Sequence, residues 1–303
     1  MRETIAAIFM SIITFFMSLF GIVPGADVAK NFAYDTVASR QVMDIYIPKN
    51  AKGSARDVLL FIHGGSWTGG DKSAYAGGCA EMVKQGLVCA TMNYRLFDSN
   101  KGIQQDITFW DMVDDIDSAL IALKAELIQR GITPKRLVIS GASAGGHLTM
   151  LYAYTHSITS PIPLAFIMPD AGPADFTDPG YFEAPRSPAQ SYLLSSMILK
   201  EAVTAETFAL VTDKLLAVSP ISYITANAPP TLLRYGGQDD LVPASNGQRM
   251  KAKLDSVGVR NDLLIYERSG HALDNIANKP GTDYEINQEY QKLVEKYRKD
   301  YLG

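Results

Sequence analysis

The chain is poor in cysteine and in clustered positive charge, and each scarcity excludes a class of protein. Two cysteines, Cys79 and Cys89, occur in 303 residues. They are too few for a disulfide framework or for a cysteine-based metal site. Lys and Arg number 28 against 32 Asp and Glu, a formal net charge of −4, without any basic cluster. This balance argues against a nucleic-acid-binding protein. The composition, 47% hydrophobic and 20% charged, is that of an ordinary globular chain.

Charge is also missing from residues 4–23, a run rich in Ile, Phe and Met. The run predicts an export segment over residues 1–26 that is not part of the fold. The favoured form is a signal peptide cleaved after Gly25 or Ala26; the alternative is an uncleaved membrane anchor of about 20 residues. The protein is therefore expected to be secreted or periplasmic, and to touch a membrane only if the segment is retained. Cys79 and Cys89 are expected to be two core thiols, with a disulfide between them left open for an exported protein.

From residue 27 onward, short apolar strands alternate with helical segments. This order predicts a single α/β domain over residues 27–303, with a mainly parallel central sheet of about eight strands flanked by helices. Two strands, at 32–38 and 41–48, should form an antiparallel hairpin at its start. The alternation lapses between about 170 and 220, where helices are predicted near 187–200 and 205–218. This stretch is interpreted as a cap over a pocket, with a plain surface excursion as the alternative.

One turn within this order has the pattern of a nucleophile. The apolar strand 137–140 runs directly into Gly141-Ala142-Ser143-Ala144-Gly145 and then into a helix. Such a tight strand-to-helix turn crowds the backbone, which explains the small residues and matches the Gly-x-Ser-x-Gly nucleophile elbow. The motif alone is moderately specific, because small-residue turns also serve packing. Ser143 therefore needs partners elsewhere in the chain.

A serine hydroxyl needs a base and an orienting acid. Of the four histidines, only His271 follows a predicted C-terminal strand directly in a loop, so it is the predicted base; His63, His147 and His156 are predicted to be structural. Asp239 is the predicted acid, in the loop after an earlier strand. The rivals for the acid role are Asp240, with a solvated charge at a helix start as its alternative role, and Asp170, after the preceding strand.

Negative charge on the former carbonyl oxygen of the substrate requires backbone N–H donors. The loop His63-Gly64-Gly65-Ser66 follows a buried strand and can supply them. The predicted donors are the N–H groups of Gly65 and Ser66, together with that of Ala144 at the elbow. A Gly-Gly pair alone indicates only a turn, and its combination with the elbow is what favours an oxyanion hole.

Taken together, the motifs resemble those of the α/β-hydrolases, in particular the hormone-sensitive-lipase-like and acetylxylan/feruloyl-esterase-like group. The resemblance covers nearly all of the chain after about residue 40. It implies the triad Ser143, Asp239 and His271, in the order typical of that fold, and no cofactor or metal. It is carried by these segments: residues 63–67, 70–72, 93–96, 141–147, 228–230, 239–243 and 270–271.

The chain departs from the His-Gly-Gly-Gly form of the group at Ser66, which replaces the third glycine. Because the donor is a backbone N–H, serine should suffice, while its side chain narrows the acyl site. Trp67 is expected either to line the substrate pocket or to pack beneath it, and Tyr94 is a second candidate for the pocket.

These features predict a serine esterase that acts on short-chain carboxylic esters of small alcohols or carbohydrate, such as acetyl or feruloyl esters, through an acyl-enzyme on Ser143. An arylformamidase resembling kynurenine formamidase, or a peptidase, would share all of these residues and differ only in the pocket. A ligand-binding protein without activity is the alternative of another class, and it usually lacks the serine or the histidine. A surface protein held by its N-terminal segment is the remaining alternative.

Overall fold

The structure, a computed structural model, describes residues 23–183 and 186–303. Eight strands form its single sheet: β1 (Ala26–Ala33), β2 (Val42–Pro48), β3 (Ala55–Ile62), β4 (Val88–Met92), β5 (Thr133–Ala142), β6 (Leu164–Asp170), β7 (Thr231–Gly236) and β8 (Asn261–Tyr266). They lie in the order β1-β2-β4-β3-β5-β6-β7-β8. β2 is antiparallel to β1 and to β4, and the remaining neighbours are parallel. The predicted α/β fold with a mainly parallel sheet is confirmed.

The first strand differs from its prediction. It begins at Ala26 and ends at Ala33, whereas the sequence pattern placed it at 32–38. A bulge between Ala29 and Phe32, with Asn31 at a φ of 52°, interrupts the alternation of apolar and polar residues. The pattern rule therefore missed residues 26–31 of the strand, because a bulge shifts its side chains out of period, and it extended the strand over residues 34–38, which are irregular.

Helices cover both faces of the sheet. They are α1 (Ala76–Lys84), α2 (Phe109–Gln129), α3 (Ala144–Thr155), α4 (Pro188–Leu199), α5 (Thr212–Leu216), α6 (Ser245–Ser256) and α7 (Tyr284–Tyr301). Thr108 and Asp111 form a capping box that fixes the start of α2. α1 and α7 pack on one face, with Cys79 and Tyr297 in the core there. α2, α3 and α6 pack on the other. The domain is thus a sheet between two layers of helices.

Residues 171–230 form the insertion between β6 and β7, and the structure places α4 and α5 there. The first of its predicted helices is present as α4. The second, predicted over 205–218, is reduced to a 3-10 turn at Phe208–Leu210 and to the five residues of α5. The β-branched residues Thr207, Val211 and Thr212 lower helix propensity at this point.

Cys79 and Cys89 are buried and free, on α1 and β4. Burial and the neighbouring Cys79 raise the pKa of the Cys89 thiol. The uncharged run predicted to direct export lies, except for Val23, outside the described residues. No helix within the described residues is long and apolar enough to cross a membrane.

Candidate active site

The turn between β5 and α3 holds Ser143 as the single residue between strand and helix. Its backbone has a φ of 56° and a ψ of −122°. Such a conformation costs a non-glycine residue about 1–3 kcal/mol and persists only where the surroundings enforce it. The N–H of Ser143 donates to the carbonyl of Asp170 at 2.8 Å, and the carbonyl of Ser143 accepts from the N–H of His147 at 2.9 Å. Ser143 thus has the strained backbone of an elbow, and it lines a cleft.

Close backbone contact explains the small residues of this turn. Gly145 lies against β3, and a Cβ atom at Gly145 would overlap the carbonyl oxygen of Ile62. Any larger residue would therefore push α3 away from the sheet and displace Ser143 with it.

Asp239 and His271 meet at the ends of β7 and β8. His271 Nδ1 lies 2.7 Å from Asp239 Oδ2. The other carboxylate oxygen of Asp239 accepts from the N–H groups of Leu241 (2.8 Å) and Val242 (2.9 Å). Asp239 is buried, at 3% exposed, while the His271 side chain is 22% exposed. A buried carboxylate whose two oxygens both have partners fixes the orientation of the His271 imidazole. Its Nε2 atom takes no part in this contact.

The two rival acids are held differently. Asp240 is exposed to solvent. The Asp170 carboxylate accepts from Arg234, from Nε to Oδ1 at 2.6 Å and from Nη2 to Oδ2. A guanidinium that engages both oxygens leaves Asp170 committed to an ion pair. Neither residue is the carboxylate that contacts His271.

The other histidines have packing contacts. His147 is fully buried and its Nε2 donates to the carbonyl of Val218 at 3.0 Å; burial lowers its pKa to about 4. His63 is also buried, and its Nδ1 pairs with the carbonyl of Gly64 at 2.8 Å; burial lowers its pKa as well. His156 stacks on Tyr152 with ring centroids 4.6 Å apart. These contacts agree with the structural roles expected for all three.

The glycine loop after β3 lies against the elbow. A Cβ atom on Gly64 would stand 2.8 Å from the carbonyl oxygen of Ala142 and 3.3 Å from Cβ of Ser143. Gly65 and Ser66 have φ values of 118° and 53°. Their N–H groups donate to no acceptor within the described residues. Ala144 is the first residue of α3, so its N–H lacks an acceptor within the helix. The three N–H groups proposed as oxyanion donors are thus available beside Ser143.

Trp67 both lines the cleft and packs against neighbouring aromatic rings, which are the two alternatives that the sequence left open. It is 3% exposed and packs on Phe109, His147 and Phe176, with ring centroids 5.0, 5.4 and 6.0 Å apart, and it lines the cleft. Tyr94 is fully buried instead. Its ring stacks on His63 at 4.4 Å and its hydroxyl donates to the His63 carbonyl at 2.9 Å. It is not among the described residues that line the cleft, so its contact is with the base of the glycine loop.

The cleft in front of Ser143 has a volume of about 230 Å³. The insertion supplies much of its wall, and so do residues that follow Asp239. Sequence reasoning identified Ser66, Trp67 and Ser143 and named the insertion as a cap, but it gave no role to the polar lining residues of the insertion, since single polar residues in an irregular stretch have no periodicity to mark them. The lining residues are Ser66, Trp67, Ser143, Pro173, Tyr181, Arg186, Ser187, Gln190, Ser191, Leu194, Asp240, Leu241 and Val242.

A mainly parallel sheet, a serine at a strand-to-helix elbow and an Asp–His pair at later strand ends define the class of α/β-hydrolases. Residues 43–254 match the model of the family described as BD-FAE, and the chain belongs to that family. The resemblance inferred from the motifs is thereby confirmed at the level of the family. The matched range includes Ser143 and Asp239 and ends before His271.

Two curated relatives are named as ester hydrolases. The chain is 29% identical over 258 residues to "Probable carboxylic ester hydrolase LipM" of Mycobacterium tuberculosis, covering 81% of this chain and 56% of that protein. It is 24% identical over 247 residues to "Esterase LipC" of the same organism, covering 77% and 57%. The chain thus spans little more than half the length of these curated relatives.

Two solved structures share the fold. One is described as a truncated form of carbohydrate esterase from gut microbiota, with a TM-score of 0.71 at 18% identity, covering 91% of this chain and 96% of that one. The other is the propionate-bound esterase Est2 of Thermogutta terrifontis, with a TM-score of 0.65 at 22% identity, covering 91% and 94%. At these identities the likeness establishes the fold.

Proposed function

We propose that the protein is a serine esterase that hydrolyses short-chain carboxylic esters through an acyl-enzyme on Ser143. The observation that carries the proposal is the 2.7 Å contact between His271 Nδ1 and Asp239 Oδ2, in a fold whose elbow serine lines a cleft. The names of the curated relatives add support. No cofactor is needed for this chemistry.

In the proposed first step, Ser143 Oγ attacks the ester carbonyl carbon while Nε2 of His271 takes its proton. The Nδ1–H group of His271 donates to Asp239, which holds the imidazole in the tautomer with a free Nε2 lone pair and stabilises the imidazolium that forms. The tetrahedral intermediate then collapses. Its bond to the alkoxy oxygen breaks, the alcohol leaves with the proton from His271, and the acyl group remains on Ser143.

In the second step, water attacks the acyl carbon and His271 takes a proton from that water. Collapse releases the carboxylic acid, and His271 returns the proton to Ser143 Oγ. In both steps the N–H groups of Gly65, Ser66 and Ala144 would bind the oxyanion. Removing one such donor typically costs about 3 kcal/mol of the activation barrier.

The size of the cleft supports a small substrate. About 230 Å³ lies below the roughly 300–1,000 Å³ of sites that enclose drug-sized ligands. Its wall combines polar side chains, such as Gln190 and Ser191, with apolar ones, such as Leu194 and Val242. We therefore propose short acyl groups, with a small or carbohydrate alcohol as the leaving group.

The test is hydrolysis by the purified full-length protein and by Ser143→Ala, on aryl acetate, longer aryl esters, acetylated xylan, a feruloyl ester and formylkynurenine. Ser140→Ala is the matched control. It removes a hydroxyl from β5, the strand that leads to Ser143; Ser140 donates to the Met168 carbonyl at 2.9 Å and is not among the described residues that line the cleft. We expect Ser143→Ala to lower kcat by roughly four to six orders of magnitude and Ser140→Ala to retain turnover.

The preferred substrate then separates the carbohydrate esterase, the general carboxylesterase and the formamidase. Full turnover by Ser143→Ala would disprove the acyl-enzyme mechanism. Absence of serine-dependent turnover on every substrate would overturn the proposed activity while leaving the fold as it is.

A further inference from the structure

The insertion is fastened to the helix that follows the Asp239 loop. Asp178 is 2% exposed, and its Oδ2 accepts from Ser245 Oγ at 2.7 Å and from Asn246 Nδ2 at 2.8 Å. Oδ1 of Asn246 accepts in turn from the N–H groups of Ala174 (2.8 Å) and Asp175 (3.0 Å). These buried contacts dock the insertion on α6 independently of the residues proposed to be catalytic.

Arg186 makes a second connection, and this one ends on Asp239. Its Nε donates to the carbonyl of Gly180 at 2.7 Å, and its Nη1 donates to the backbone carbonyl of Asp239 at 2.8 Å. One planar guanidinium therefore bridges the insertion and the proposed catalytic acid. Hydrogen bonds from a charged donor are roughly twice as strong as neutral ones.

The loops that hold Asp239 and His271 are joined to each other by hydrogen bonds. The N–H of Gln238 donates to the Ser269 carbonyl at 3.0 Å, and Nε2 of Gln238 donates to the Glu267 carbonyl at 3.1 Å. A residue that restrains the Asp239 backbone thus restrains the His271 loop as well. Among the described residues of the insertion, Arg186 is the one whose side chain donates to the Asp239 backbone.

Both carboxylate oxygens of Asp239 already have hydrogen-bond partners. Oδ1 accepts from Leu241 and Val242, and Oδ2 faces His271. These contacts set the carboxylate relative to its own loop, but they do not set the loop relative to the insertion wall of the cleft. The Arg186 contact restrains that loop directly, in addition to the contacts that dock the insertion on α6.

We infer that Arg186 is a positioning residue that holds the Asp239–His271 pair in register with Ser143 across the cleft. The inference rests on the proposed function, since the register matters only if the pair activates the serine. Direct contact with substrate is the rival role, because Arg186 also lines the cleft. The two roles differ in which kinetic parameter they change.

The experiment measures kcat and KM of the full-length protein, Arg186→Gln and Arg186→Lys on aryl acetate, propionate and butyrate. It also measures the rate at which a fluorophosphonate probe labels Ser143. A displacement of about 1 Å in a catalytic group can cost 100-fold. We expect Arg186→Gln to lower kcat and the labelling rate by roughly 10- to 100-fold on all three esters, with KM within about twofold. Arg186→Lys should restore part of the loss, because an ammonium keeps the charge but lacks the fork geometry.

Arg249→Gln is the matched control. Arg249 also joins the insertion to α6, through Nε to Asp175 Oδ2 at 2.7 Å, and it has no bond to Asp239. We expect it to keep the wild-type kcat. An equal loss in Arg249→Gln, or a loss confined to KM and to one ester, would overturn the positioning role.

The outcomes also separate this inference from the proposed function. Wild-type protein that hydrolyses and is labelled, together with an Arg186→Gln variant that behaves identically, would overturn the inference alone. Wild-type protein that neither hydrolyses these esters nor is labelled would overturn both.

Discussion

The two sides of the cleft are built by different means. On the nucleophile side, Ser143 is held by backbone: a strand, a helix and the glycine loop approach so closely that a methyl group on Gly64 or Gly145 would collide with a carbonyl oxygen. On the acid side, Asp239 and His271 are held by hydrogen bonds: His271 and two backbone N–H groups contact the Asp239 carboxylate, and Arg186 of the insertion donates to the Asp239 carbonyl. Both sides are therefore expected to be sensitive to added volume, since a Cβ atom on Gly236 would overlap the carbonyl oxygen of Gly270. The acid side is expected to be sensitive also to a change in hydrogen-bonding chemistry.

Of the changes that test this comparison, the one with the largest expected effect is on the acid side. Asp239→Asn keeps the volume of the side chain but removes the charge that stabilises the imidazolium and favours the wrong tautomer of His271. We expect kcat to fall by roughly 10⁴-fold with little change in folding, to be measured by steady-state kinetics and by thermal unfolding.

Asp240→Asn makes the same change in the neighbouring, exposed residue. The factor by which it lowers kcat should be smaller than that of Asp239→Asn by roughly 100-fold or more, because Asp240 does not contact His271. Similar losses of kcat in the two variants would contradict the assignment of Asp239 as the acid. No residue would then be identified for that role.

The nucleophile side should respond to a single methyl group. Gly64→Ala would place Cβ at 2.8 Å from the Ala142 carbonyl oxygen, so the loop or the elbow must shift. We expect kcat/KM to fall by roughly 100-fold. Gly69→Ala is the control on the same loop, since its Cβ would meet its nearest neighbour, the carbonyl oxygen of Gly65, at 3.8 Å. Equal activity in Gly64→Ala and Gly69→Ala would show that the loop tolerates volume, and the proposed contrast would fail.

The same contrast explains what could be predicted from the sequence. Close backbone approach selects small residues at neighbouring positions, so the elbow and the glycine loop left local patterns. Regular alternation likewise predicted the sheet, β1 excepted. The Arg186 contacts left no pattern, since they join residues 6 and 53 positions apart in the chain. Tyr94 lay within a motif segment, but a motif does not reveal whether a tyrosine faces the cleft or, as here, the carbonyl of His63.

His147 joins the two sides, and it yields the smallest effect, one on stability. Its Nε2 on α3 donates to the carbonyl of Val218 in the insertion, and burial lowers its pKa to about 4. An unfolded histidine titrates near pH 6.5, so between pH 6.5 and pH 4 the unfolded state binds the proton and the folded state does not. The neutral His147 therefore makes its full contribution to the free energy of unfolding above pH 6.5. As the pH falls this contribution is lost, by about 2 kcal/mol at pH 5.

Urea unfolding at pH 7.5 and pH 5 measures this loss. His147→Gln should remove about 2 kcal/mol of the pH dependence, while His156→Gln, on the partly exposed end of the same helix, controls for the loss of an imidazole. His63 is buried with a lowered pKa as well, so part of the wild-type pH dependence should persist in His147→Gln. If His147→Gln keeps the full pH dependence of the wild-type free energy of unfolding, the contact between α3 and the insertion does not depend on a neutral His147. Protonation of His147 would then not link the two sides of the cleft.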